Sequence, residues 1–193
     1  MKSIIGITGG IGSGKTFLAS KLQEKFPVYY SDAQAKELMN YHTDLKNQII
    51  ETFGSKAYNK NGLDRTYLAH TVFNNQESLK KLNSIVHPAV RKHCDEWCTN
   101  QKCNIVFVEA AILFETGRYK DFRANILVTA NQNERIERVI QRDKVSKSEV
   151  LARISKQAPD TDKIPLADFV FNNSKGRFDA EFKRLQAWLN QFT

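Results

Sequence analysis

No run of about 18 apolar residues occurs in the 193-residue chain, so no segment is expected to span a membrane as a helix. The opening Met1-Lys2-Ser3-Ile4-Ile5-Gly6 carries one positive charge and a short apolar run that glycine cuts off. A secretory leader needs a longer apolar centre and a small-residue cleavage site. Cysteine is scarce: three residues, Cys94, Cys98 and Cys103, cannot all pair within one chain. No second cluster supplies the spacing of a zinc site. A reducing, cytoplasmic setting is therefore expected. Four prolines and nine glycines exclude Pro-rich and collagen-like classes. There is no internal repeat and no low-complexity segment.

What is present suits one ordinary domain with an insertion. Hydrophobic residues make up 41% and charged residues 26%, enough for a packed core under a polar surface. The net charge is +8, from 29 Lys and Arg against 21 Asp and Glu. A polyanionic partner follows: nucleic acid, a membrane surface, or a small ligand bearing several phosphates. Composition does not choose among them.

Strands and helices alternate along the chain. Ser3 to Thr8 is short, apolar and β-branched, as a buried strand should be. After the glycines of Gly9 to Gly14, Phe17, Leu18, Leu22 and Phe26 recur at helical spacing, with Pro27 as the expected stop. Val28-Tyr29-Tyr30 reads as a second strand, with Asp32 just beyond it. From Ala33 to about Gln101 the pattern is helical. Asn59-Lys60-Asn61-Gly62 marks a turn, and Asp64 suits the cap of a helix carrying Leu68, Val72 and Phe73. His87-Pro88 is expected to break the pattern, with Pro88 opening a new helix. Further strands are expected at Asn104–Val108, Asn125–Thr129 and Asp168–Phe171. Helices are expected at Glu134–Arg142, Lys147–Gln157 and Ala180–Phe192. This alternation predicts an α/β fold with a five-stranded parallel sheet covered on both faces. The long helical stretch is too long for a simple crossover and reads as an insertion.

Gly9-Gly10-Ile11-Gly12-Ser13-Gly14-Lys15-Thr16 fits G-x-x-x-x-G-K-[ST], between a strand and a helix as that motif requires. Its glycines let the backbone wrap phosphate oxygens with successive N–H groups pointing inward, at the positive end of the next helix. Lys15 can neutralise the β- and γ-phosphates, and the Thr16 hydroxyl can ligate Mg²⁺. The alternative is a glycine-rich turn that binds nothing. A guanine-reading Asn-Lys-x-Asp is absent, which excludes the usual GTPase, and the length suits a small kinase.

A kinase needs a carboxylate to accept a hydroxyl proton and cations over the transferred group. Asp32 is the candidate base, because ligands of parallel sheets bind beyond the strands' carboxyl ends. The competing role is capping of the helix near Ala33. Arg135, Arg138 and Arg142 follow i, i+3, i+7 spacing on one helix, either as a phosphate clamp or as a solvated basic face. Glu109 can reach Mg²⁺ through water or cap the third strand's exit. His87 alone reads as structural. Lys80-Lys81 and Arg91-Lys92 read as solvated surface.

At this resolution of motif the chain resembles the dephospho-coenzyme A kinase family over nearly its whole length. Ile7 to Thr16 is similar to that family's opening. Val28 to Lys36 resembles its Asp-Ala-Asp motif, with Tyr30 in place of the first Asp and Asp32 as the second. Leu82-Asn83-Ser84-Ile85-Val86-His87-Pro88 and Ile112-Leu113-Phe114-Glu115-Thr116-Gly117 resemble two further family stretches. Arg153-Ile154 with Gln157, and Ala167-Asp168 before Asn172-Asn173, continue the pattern. Ala111 stands where proline is usual, Glu134 where glutamine is usual, and Ser174 where glycine is common.

The resemblance implies a three-layer P-loop fold. Its nucleotide-binding core would comprise 1–35, 102–137 and 164–193, with a helical substrate-binding insertion over 36–101 and a helical lid over 138–163. It implies ATP as phosphoryl donor with Mg²⁺ on Thr16. ATP would be held by Gly10, Ile11, Gly12, Ser13, Gly14, Lys15, Thr16 and Phe17, with Arg142 and Asn173. Asp32, Lys15 and Arg138 would carry catalysis. Thr8, Asp32, Arg65, His87, Leu113 and Glu115 would meet dephospho-coenzyme A. No nucleic-acid or membrane partner is implied, and the protein would be a monomer or a weak homo-oligomer. The rival readings are a kinase for a nucleoside or nucleoside monophosphate, and a nucleotide-dependent binder of nucleic acid.

Overall fold

The computed structural model describes residues 2–73 and 75–192. The side chain of Phe73, assigned above to a helical stripe, lies outside what is described. The chain runs β1 (Ser3–Thr8), α1 (Lys15–Leu22), β2 (Val28–Tyr30), α2 (Ser31–Tyr41) and α3 (Thr43–Phe53). A short hairpin follows, β3 (Tyr58–Asn59) and β4 (Gly62–Leu63), then α4 (Arg65–Phe73) and α5 (Gln76–Asn100). The remainder is β5 (Ile105–Glu109), β6 (Ala124–Thr129), α6 (Gln132–Asp143), α7 (Lys147–Ile154), the single turn α8 (Asp160–Lys163), β7 (Phe169–Asn172) and α9 (Phe178–Leu189). Residues 1–29 with 101–193 form one compact unit, and residues 30–100 form a second.

The first unit is built on a five-stranded sheet in the order β2-β5-β1-β6-β7. β1 lies at its centre, parallel to β5 and to β6, with Ile5 opposite Phe107 and Ala124. β7 continues the parallel array beyond β6. Central strands of a parallel sheet are covered on both faces, so they read as continuous apolar runs rather than alternating ones. Ile5, Ile7, Val106, Phe107, Ile126, Leu127 and Val128 are all fully buried. α1 ends at Leu22, well short of Pro27. The expected stop at Pro27 is thus corrected: the Lys25 and Phe26 amides both close a turn onto the Leu22 carbonyl. Phe26 then packs edge-on against Phe107, with ring centroids 5.5 Å apart, and this contact draws the chain off the helix.

The second unit is helical, with a core of Leu38, Leu45, Ile49, Ala57 and Val86. Asp64 caps α4 as expected, its Oδ1 accepting the Tyr67 amide at 2.9 Å. The expected break at His87-Pro88 does not occur. α5 is one helix of 25 residues with Pro88 inside it. Leu82, Ile85, Val86, Ala89 and Val90 line one stripe on both sides of the proline and pack on the same core. The helix also packs against α2, α3 and α4. That packing outweighs the one backbone hydrogen bond a proline forfeits. Ser84 and Pro88 are both exposed, so water can satisfy the Ser84 carbonyl.

Replacing Pro88 by Ala restores that hydrogen bond without disturbing the apolar stripe. A helix-interior proline costs about 3 kcal/mol, partly offset by the order it imposes on the unfolded chain. Pro88→Ala should therefore raise the unfolding free energy by roughly 1–3 kcal/mol in urea titrations. A loss of stability would mean that α5 does not run through this position.

Candidate active site

β1 ends at Thr8 and the chain turns through Gly9 to Gly14 before α1 begins. Gly12 and Gly14 adopt φ of +78° and +91°, the left-handed region. A Cβ on Gly12 would sit 2.4 Å from the Arg135 carbonyl oxygen, and one on Gly14 would sit 2.0 Å from Asn173 Nδ2. Both positions therefore demand glycine for conformation and for space. The first turn of α1 holds no acidic side chain, so its positive end is uncompensated and faces the loop.

The loop's carbonyls are tied outward. Arg135 Nε donates to the Ile11 oxygen at 3.0 Å. Arg138 NH1 lies 3.4 Å from both the Gly12 and the Ser13 oxygens. Asn173 Nδ2 donates to the Ser13 oxygen at 2.8 Å. In a trans peptide the carbonyl and the following N–H point in opposite directions. Holding the carbonyls of Ile11 and Ser13 outward thus turns the amides of Gly12 and Gly14 inward, while the Ser13 amide closes the turn onto the Gly10 carbonyl at 3.1 Å. That is the geometry of an anion cradle.

Lys15 and Thr16 lie beside one acid. Glu109, at the end of β5, is only 4% exposed. Its Oε1 lies 3.7 Å from Lys15 Nζ and accepts the Thr16 hydroxyl at 3.2 Å. A pocket of about 240 Å³ is lined by Gly12, Gly14, Lys15, Thr16, Phe17, Arg138, Val139 and Arg142. Its walls combine inward amides, cationic side chains and a hydroxyl, which suits the phosphate end of a nucleotide. Thr16 and Glu109 supply hard oxygen donors of the kind Mg²⁺ takes. Among the described residues no group of three or more His, Cys, Asp or Glu could cage a metal.

The three arginines of α6 do different things, although their spacing puts them on one face. Arg135 is buried and braces the loop, also reaching Asp160 Oδ2 at 3.2 Å. Arg138 bridges the loop to the Asn173 oxygen at 2.7 Å and to Glu134 at 3.2 Å. Arg142 is exposed and pairs with Asp143 at 2.7 Å. The hydrogen bonds from Arg142 and then Arg153 hold the Asp143 carboxyl below its ordinary range. Phe17, expected on the apolar stripe of α1, is 51% exposed and packs its ring on Phe178, 4.9 Å between centroids.

The remaining predicted residues divide between the two units. In the first, Thr8 is fully buried, its hydroxyl 3.4 Å from the Ala111 oxygen. Leu113 is 1% exposed and covers Gly6 together with Phe122. Glu115 pairs with the buried Lys163 at 2.8 Å. In the second, Asp32 lies in the first turn of α2 and is exposed. The N-cap position of α2 is held by Tyr30, not by Asp32. Arg65 opens α4 and is exposed. His87 lies at the surface, yet partial desolvation lowers its pKa, so the imidazole is neutral near pH 7.

Sequence reasoning placed Asn173 with ATP and Gln157 within the family pattern but missed that both brace the loop, Gln157 Oε1 accepting the Ile11 amide at 2.8 Å. Neither side chain carries charge or sits near the glycines in sequence, so no local signal marks it.

The model of the dephospho-CoA kinase family matches residues 3–179. The chain belongs to the dephospho-CoA kinase family. A dephospho-CoA kinase from Leptospira interrogans is 38% identical over 181 residues, which cover 92% of this chain and 86% of its own. The crystal structure of TT1252 from Thermus thermophilus aligns with a TM-score of 0.86 at 36% identity, covering 100% of this chain and 98% of that one. Shikimate kinase from Bacteroides thetaiotaomicron shares the fold, with a TM-score of 0.55 at 14% identity over 97% of this chain and 98% of its own. The protein is thus an ATP-dependent phosphotransferase with a P-loop kinase fold, acting on a small molecule.

Two departures from the usual family residues are accommodated locally. Glu134 Oε2 accepts the Lys175 amide at 2.9 Å, a bond that a glutamine oxygen could equally make. The Ser174 hydroxyl accepts the Asn131 amide at 3.0 Å and so ties the Asn172-Asn173 turn to the start of α6.

Gly14→Ala forces a Cβ into Asn173 Nδ2 and strains a left-handed residue. Displacement titrations with a fluorescent ATP analogue should show ATP affinity falling at least about tenfold, with β1 and the rest of the core intact by circular dichroism. Wild-type affinity would mean that this loop does not hold the nucleotide.

Proposed function

We propose that this protein transfers the γ-phosphoryl group of ATP to the ribose 3′-hydroxyl of dephospho-coenzyme A, giving ADP and coenzyme A. The observation that carries the reading is the convergence of inward loop amides, Lys15 and the Thr16–Glu109 pair at the end of β1, in a chain matching this kinase family over residues 3–179. The P-loop amides of Gly12, Gly14, Lys15 and Thr16 bind the β- and γ-phosphates, and Lys15 offsets their charge. The Thr16 hydroxyl, with Glu109 through water, would hold Mg²⁺, which would supply positive charge to the phosphate oxygens. Gly10, Ile11 and Phe17 complete the nucleotide side, with Asn173 towards the base.

Asp32 accepts the proton of the 3′-hydroxyl as its oxygen bonds to the γ-phosphorus and the bond to the β–γ bridging oxygen breaks. It is exposed, and the N-cap position of α2 belongs to Tyr30, which favours the base over the helix cap. Arg138 and Arg142 steady the charge on the transferring group. Little covalent work falls to the protein in phosphoryl transfer, so position and charge carry most of the rate. Thr8 and Leu113 are buried in the first unit, whereas Arg65 and His87, both exposed, are assigned to the acceptor. His87, being neutral, serves there as a hydrogen-bonding group rather than a cation. Residues 138–163 act as a lid that excludes water from the γ-phosphate.

The net charge of +8 serves two polyanionic small molecules and calls for no nucleic acid. Among the described residues no helix is long and apolar enough to cross a membrane. We place the reaction in the cytoplasm and assign it to the monomer or a weakly associating homo-oligomer.

A coupled ADP-release assay with MgATP tests the reading, offering dephospho-coenzyme A, AMP, CMP, adenosine and no acceptor. Release that requires dephospho-coenzyme A, with coenzyme A confirmed by mass, is expected. Release with a different acceptor would discard the substrate, and affinity for DNA or RNA that falls steeply with salt would favour a nucleic-acid role.

Asp32→Asn should lower kcat by about 10²- to 10⁴-fold while ATP binding persists. Unchanged turnover would leave Asp32 without a part in proton transfer. Lys15→Ala should abolish measurable turnover, and a variant that keeps its rate would remove the lysine from the phosphate site.

A further inference from the structure

Ile11, at the crown of the P-loop, is held at three points by the segment from α6 to α8. Its amide donates to Gln157 Oε1 at 2.8 Å. Its carbonyl accepts from Arg135 Nε at 3.0 Å. Its side chain packs into an apolar cluster of Ile136, Val139 and Val150, with Ile140, Val145 and Ile154 around it. Arg135 is itself fixed by Asp160, only a few residues beyond Gln157.

The chemistry of this arrangement is specific. The Ile11 amide is turned away from the phosphate cradle and spent on a protein acceptor, so it is not one of the donors to ATP. The peptide planes before and after Ile11 are both set, the first by Gln157 and the second by Arg135. The second plane carries the Gly12 amide, the first of the inward donors. An unbraced crown would sample other orientations, helped by the glycines on both sides of it. Ordering them would then fall on the nucleotide as it bound.

We propose that Gln157 is a positioning residue for ATP: by holding the Ile11 amide it preorganises the phosphate cradle and couples the cradle to the α6–α7 segment. It touches no reacting atom and acts through the backbone of Ile11. The proposal rests on the assignment of ATP to this loop and is independent of which acceptor the enzyme uses.

The test compares Gln157→Ala with Gln157→Met in the full-length enzyme. Met keeps the side chain's volume and removes the acceptor. Both variants should raise the Kd and the KM for ATP about 5- to 10-fold, the effect of losing one partly buried hydrogen bond. The KM for dephospho-coenzyme A should stay within about twofold of wild type, and kcat at saturating MgATP should move less than the KM for ATP. A purely structural role would instead lower the unfolding midpoint and the active fraction, shifting kcat and leaving the KM for ATP in place.

Wild-type ATP affinity in both variants overturns the proposal. So does weakened binding in Gln157→Ala with wild-type binding in Gln157→Met, since volume and not the hydrogen bond would then matter. If Gln157→Ala does not fold, Gln157→Met carries the measurement. The ATP titration needs no acceptor, so it stands even if the ADP-release assay shows that dephospho-coenzyme A is not the substrate.

Discussion

The structure around the site depends on the orientation of a few peptide planes between Gly9 and Thr16. A backbone amide binds phosphate only if its own plane faces the ligand, and glycine-rich chain has no intrinsic reason to hold that orientation. The fold supplies the reason from outside the loop. Arg135, Arg138 and Asn173 capture consecutive carbonyls and so point the following amides the other way. The glycines are then needed less for flexibility than for room, because Arg135 and Asn173 occupy the space that side chains would fill. A loop that looks flexible in sequence is fixed by its surroundings, and this makes its donors available without reorganisation at the moment of binding.

The same economy governs the charges. Glu109 is buried at the carboxyl end of β5, where a lone carboxylate would be costly. It is retained beside Lys15 at 3.7 Å and Thr16 at 3.2 Å, which supply a cation and a hydroxyl donor to it. A carboxylate there keeps the lysine oriented before nucleotide arrives. On α6, burial sorts three similar arginines into separate roles. Arg135, deepest, braces the loop; Arg138, intermediate, joins the loop to the Asn173 turn; Arg142, exposed, is left where an incoming group can meet it.

Much of this was legible in the sequence, and the boundary has a physical meaning. The strand at Ser3–Thr8, the loop and the helix after it follow from local chemistry: β-branched residues, then glycines, then helical spacing. The cap at Asp64 is likewise a local matter. The helix through Pro88 was not legible, because a proline's local cost is visible in sequence while the packing that offsets it comes from α2, α3 and α4. The end of α1 was misplaced for a related reason, since a contact between Phe26 and Phe107 is far apart in the chain. For the site, Gly12 to Thr16 announce themselves. The bracing roles of Asn173 and Gln157 do not, since each is an uncharged amide whose bond to the loop comes from a neighbour more than a hundred residues away.

This division also bears on why the braces sit on α6 and the segments after it rather than on the sheet. The strands are fixed by ladders and a close-packed core, and could hold the loop in only one state. α6 and α7 have an apolar cluster of their own, small and distinct, into which Ile11 is plugged. Any displacement of that cluster must carry Ile11 with it or break its hydrogen bonds to Arg135 and Gln157. Phosphoryl transfer requires water to be kept from the γ-phosphate while the donor amides stay in register. Joining the crown of the loop to α6 and α7 keeps those amides in register with one set of contacts.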